Sequence, residues 1–144
     1  MPKAQMDTKQ FTGISGLVLR TGAVSNVLVT VPAFLVYDAY IGALLDQAPD
    51  TPWLVWIWSG MAFLWGVMMW DLAGDLGAKW PLLRYLIAEK AVTSASAVVG
   101  FLIGDLPGRA LTALVVTDVI WIPLFWMILR GARMRFAAGG EDAC

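Results

Sequence analysis

Histidine is absent from this 144-residue chain, and its one cysteine, Cys144, stands last. The first absence removes imidazole ligation of haem, copper or zinc and any histidine proton shuttle. The second removes an intrachain disulfide or a thiolate cluster. No metal site and no cofactor is therefore expected. Charge is also scarce, at 15% of residues against about 25% in an ordinary soluble domain. The net charge of −1 offers nothing to a nucleic-acid backbone, so no such partner is expected.

What fills the sequence instead is apolar, 59% of it, gathered into four long runs. They span approximately residues 22–45, 52–70, 81–104 and 108–130, each near the roughly 20 residues that cross about 30 Å of hydrocarbon. The first run is too long for a signal-peptide core and shows no cleavage site, so it is expected to be retained. The whole chain then reads as one all-α membrane domain with short polar N-terminal and basic C-terminal tails. Short loops punctuated by Pro52, Pro81 and Pro107 predict an up-down-up-down four-helix bundle. Nine of the ten basic residues fall on one side of this arrangement and Arg109 alone on the other. The positive-inside rule then places both termini in the cytoplasm and the protein, multi-pass, in a cell inner membrane. Eight tryptophans suit either the headgroup layer and helix packing or the wall of an apolar site.

Charges at membrane depth cost about 2.5–3.5 kcal/mol each on insertion scales, so each demands an account. Glu89 and Lys90 lie in the third run, Asp118 near the middle of the fourth and Asp38 in the first. Lys90 is long enough to snorkel toward the helix start, which would explain it without a function. Glu89 is shorter and stays at depth. Counting rise from the turn at 105–108 puts Asp118 about 15 Å along its helix and Ser94 about 16 Å along the third. The same count sets Lys90 about 6–7 Å away in level, so Ser94, Thr93 or Ser96 is the expected partner of Asp118. Asp38 comes out at a depth close to that of Asp118, with Tyr37 beside it, and Asn26 lies nearer Glu89. Two carboxyls facing one another in low dielectric would not both ionise cheaply. The candidate acid–base residues are thus Asp118, Glu89 and Asp38. The candidate ligand-binding residues are Trp121, Trp65, Tyr37, Ser94, Asn26 and Lys90.

Ser96, Gly100 and Gly104 recur every four residues, a spacing that lets two helix backbones approach closely, within the bundle or in a homodimer or larger membrane complex. Small multidrug-resistance transporters carry a glutamate in the first span, and this chain has none there. The leading expectation is a binding or accessory module for an apolar small molecule or membrane partner. The alternative is an integral-membrane acid–base enzyme acting on a lipid, sterol or isoprenoid, of isomerase, cyclase or epoxide-opening type. A third option is proton-coupled transport by an oligomer.

Overall fold

The computed structural model describes residues 7–46 and 52–137, and all regular structure within them is helical. Helix α1 runs Thr8–Leu35, α2 Tyr37–Leu45, α3 Trp53–Gly74 and α4 Leu76–Lys79. A 3-10 turn, Trp80–Leu82, leads into α5, Leu83–Leu102, followed by α6, Gly108–Val119, and α7, Trp121–Phe136. Four stretches are long and apolar enough to cross a membrane: Thr8–Leu35, Val55–Gly74, Leu76–Leu102 and Gly108–Phe136. Most of the first loop, Lys3, Cys144 and the acidic pair Glu141 and Asp142 lie outside the described residues.

The first helix begins at Thr8, well before the apolar run. Its opening turns are amphipathic: Phe11, Ser15, Gly16 and Leu19 are buried while Lys9 and Arg20 are exposed. That is the face-by-face pattern of a helix, which a search for unbroken apolar sequence passes over. Two of the expected spans are jointed. Pro32 and Pro123 each lack an N–H and crowd the carbonyl four residues back. The first helix stops at Leu35, with Val36 at φ −137° and ψ 48°, and the last breaks at Ile120. The carbonyl of Ala33, orphaned at the first joint, accepts a hydrogen bond from the indole Nε1 of Trp56 at 3.2 Å. This is how a broken helix at membrane depth meets its backbone requirement.

Residues 70–80, expected as a loop, are largely helical. Helix α3 continues to Gly74, and the Asp75 carboxylate accepts from the Ala78 N–H at 3.2 Å to cap the restart as α4. At the other end of α5 the chain turns on Gly104, whose φ is +86°. The Asp105 N–H bonds to the Gly100 carbonyl at 2.9 Å and the Gly104 N–H to the Phe101 carbonyl at 3.1 Å. This paired pattern ends a helix on a left-handed residue, a place where glycine bears no steric cost. Gly104 therefore serves the turn after α5.

The apolar core joins Leu19 of α1, Met69 and Leu72 of α3, Leu83 and Leu86 of α5, and Phe125 of α7, all without solvent exposure. In hydrocarbon, leucine gains little by exchanging lipid for protein, so close approach decides helix association. Here α1 and α3 supply it. A Cβ on Gly66 would sit 3.2 Å from the Ala23 carbonyl oxygen, and one on Gly22 would sit 3.0 Å from the Met69 sulfur. Helix α5 packs along α6 and α7. The opposite, outward surface is apolar, with Leu17, Leu28, Leu64, Val92 and Met127 exposed, as lipid contact requires.

Candidate functional site

One to two turns along from the apolar core, the same helices turn polar. Asn26 of α1, Lys90 and Ser94 of α5 and Asp118 of α6 are all buried. Lys90 is only 3% exposed, and its ammonium stands 2.9 Å from Asp118 Oδ1, 3.3 Å from Asn26 Oδ1 and 3.4 Å from Glu89 Oε2. Three oxygens from three helices thus surround it. The Asn26 amide is held in turn, because its Nδ2 donates to the Ala62 carbonyl of α3 at 2.9 Å. Thr30 donates back to the Asn26 carbonyl at 2.8 Å.

Lys90 therefore does not snorkel, and the expected pairing of Asp118 with a hydroxyl is replaced by an ion pair. Counting levels from the turn at 105–108 presumes straight, parallel helices. Helix α6 ends one residue after Asp118, and the four-carbon stem of lysine bridges the remaining difference in level. Energetics favours the pair: an uncompensated buried ammonium costs several kcal/mol, far more than the rotamer freedom lost in reaching Asp118.

The cluster is incompletely satisfied. Glu89 Oε1 accepts from the Thr93 hydroxyl at a long 3.5 Å. Glu89 Oε2, though near Lys90, has no donor in hydrogen-bond geometry, and Ser94 Oγ has no partner either. Buried polar atoms are nearly always paired, so two orphans within two helical turns mark the place. With all three groups ionised, two carboxylates share one ammonium and a negative charge is left over.

A small cavity of about 20 Å³ lies among Asn26, Glu89, Lys90, Thr93, Thr117 and Asp118, with room for about one water molecule. Two larger apolar grooves abut it. One, about 690 Å³, runs between α3 and α5, past Trp58, Met61 and Trp65 on one wall and Tyr85, Glu89 and Ser96 on the other. The second, about 360 Å³, lies among α2, α3 and α6, beside Tyr40, Ile41, Val55 and Ala113. Trp58 and Leu114 border all three spaces. Glu89 faces both the polar cavity and the larger groove.

Of the residues singled out from sequence, Asn26, Glu89, Lys90 and Asp118 come together, with Ser94 on the same helix face one turn from Lys90. Trp65 lines the larger groove. Asp38 is exposed in the first turn of α2 and takes no part in the cluster. Tyr37 sits edge-on to Trp56, ring centroids 6.1 Å apart. Trp121 stacks on Phe125 at 5.7 Å and packs against the apolar core. Trp58 was not among the expected ligand-binding residues, although Trp58, Ala62 and Trp65 follow an i, i+4, i+7 pattern that marks one helix face. Among the described residues no group of three histidine, cysteine, aspartate or glutamate side chains is placed to hold a metal ion. No family model matches the chain, and neither the curated proteins nor the solved structures yield a match.

Proposed function

We propose that this chain is an up-down-up-down inner-membrane protein, both termini cytoplasmic, that binds an apolar molecule bearing a hydrogen-bond donor at one end. The apolar body occupies the groove between α3 and α5, against Trp58 and Trp65. The donor, a hydroxyl or N–H, meets Glu89 Oε2. The observation that carries this is that orphaned oxygen, buried on the wall shared by the polar cavity and the open groove. The Lys90 ammonium 3.4 Å away offsets the charge of this carboxylate, but no donor is aimed at Oε2, so an arriving hydroxyl or N–H would complete its hydrogen bonding. Long-chain alcohols, sterols and quinols have the right chemistry: a flat or extended apolar frame with a terminal hydroxyl.

The test is to purify wild type and Glu89→Ala in mild detergent and identify co-purifying lipid-like molecules by mass spectrometry. A hydroxyl-bearing apolar molecule retained by wild type and depleted about tenfold in Glu89→Ala, as expected for one charge-assisted hydrogen bond, supports the reading. Equal retention by both proteins sinks it.

A second reading has its own observation. Lys90 lies within 3.4 Å of both carboxylates, behind Glu89 on the side of the small polar cavity. Such a trio suits acid–base chemistry on a lipid, sterol or isoprenoid, with Glu89 at the substrate, Asp118 as the counter-carboxylate and Lys90 holding the two in place. Chemical change of an added unsaturated or epoxide substrate by wild type, lost in Glu89→Gln, separates enzyme from binding protein.

A further inference from the structure

A third groove, about 630 Å³, lies away from the polar cluster, where the entry to α5 meets the later turns of α7. Its walls are Trp80, Trp126 and Leu129, and three arginines, Arg84, Arg130 and Arg133, stand around it. Among the described residues no acidic one lines it. Among the described residues Arg130 and Arg133 make no ion pair, while Asp71 is paired with Lys79 and Asp46 with Arg109. Arg84 lies over the Tyr85 ring at 5.0 Å, a contact that keeps its hydrogen-bond donors available.

We infer that this groove binds an anionic phospholipid, its phosphate between Arg84, Arg130 and Arg133 and its acyl chains against Trp80, Trp126 and Leu129. Guanidinium forks match phosphate oxygens in pairs, as a lysine ammonium does not. Three like charges around one opening repel each other until an anion arrives, and among the described residues no acidic side chain answers them within the groove. The tryptophans argue for a lipid rather than a free anion. Trp126 is 58% exposed beside the arginines, and an indole between apolar chain and charged headgroup is in its preferred setting. Net charge decides between lipids: a zwitterionic headgroup carries its own cation into the arginine cluster, whereas a phosphate without one does not. The preferred lipid thus has uncompensated phosphate, and two phosphates fit three arginines better than one.

The experiment is native mass spectrometry of the full chain in mild detergent, titrated in parallel with phosphatidylcholine, phosphatidylglycerol and a lipid bearing two phosphates. The expected order of retention is two phosphates, then phosphatidylglycerol, then phosphatidylcholine. Arg130→Gln with Arg133→Gln should weaken retention of the anionic lipids about fivefold per arginine and leave phosphatidylcholine unchanged. Both side chains are exposed, so an unaltered melting temperature serves as the folding control. Equal retention of all three lipids, or anionic retention that survives the double substitution, overturns the inference. So does displacement of the lipid by millimolar inorganic phosphate, which would make the site one for small anions. Lipid retention that appears only after Glu141→Gln and Asp142→Asn would assign the groove to the acidic end of the chain itself, and overturns it as well.

Discussion

The apolar core and the polar cluster are built on the same helices, a few turns apart, and they are made in opposite ways. In the core, Leu19, Leu72, Leu83 and Phe125 are fully enclosed. In the cluster, one ammonium is nearly satisfied while Glu89 Oε2 and Ser94 Oγ are left over, with a cavity and two grooves alongside. A chain this small had apolar residues in abundance to fill that second region. Filling it would have given a more uniform bundle, so the contrast sets a region closed by packing beside one left open at its polar groups.

The sharpest way to break the contrast is to take away the nearer anion of the lysine. Asp118→Ala should cost about 3 kcal/mol, because the buried Lys90 ammonium keeps only Glu89, at 3.4 Å, and thermal unfolding in detergent reads the loss. Leu72→Ala in the core should cost about 2–5 kcal/mol by opening a cavity among well-packed neighbours, measured the same way. Replacing the pair together tests whether the polar cluster stabilises at all. In a Glu89→Gln background, which leaves no third charge behind, Lys90→Met with Asp118→Leu should come within about 1–2 kcal/mol of the paired parent, or exceed it, since apolar residues avoid the desolvation cost of both ions. If the double variant is as unstable as Asp118→Ala, the ion pair is a structural fastener and the contrast fails. Smallest of all is Ser94→Ala, which removes an orphaned hydroxyl and should shift stability by no more than about 1 kcal/mol, toward gain.

The four apolar spans were legible because their lengths match a bilayer and their prolines stand at the turns. The start of α1 at Thr8 was not, since only one face of Phe11 to Leu19 is apolar and the other carries Arg20. The joints at Val36 and Ile120 were half visible: a proline inside a span, as at 32 and 123, disturbs a helix, but where the helix lets go depends on what satisfies the freed carbonyls. For the site, the cost of charge at depth was enough to select Glu89, Lys90 and Asp118. Their partners were not selected by depth alone, because level along an axis says nothing about helix crossing or about how far a lysine reaches. Asp38 matched Asp118 in counted depth and still points elsewhere, on a separate helix beyond the first joint. The seam of Ser96, Gly100 and Gly104 looked like a helix–helix contact. Gly104 forms the turn after α5, while α1 and α3 approach each other closely at Gly22 and Gly66.

One fastening ties the beginning of the sequence to its end. A Cβ on Gly131 would lie 2.5 Å from the Phe11 ring, so the ring occupies the room that a side chain at 131 would take. Arg135 lies over that ring at 4.3 Å and donates to the Gly131 carbonyl at 3.1 Å, and Phe136 closes the other side at 6.5 Å. Every helix from α2 to α6 lies between Phe11 and these partners in the chain. The opening turns of α1 can settle first against α3, where Gly16 meets the Ala73 carbonyl. The ring of Phe11 reaches its own place only once α7 has formed, as a contact of high sequence separation must.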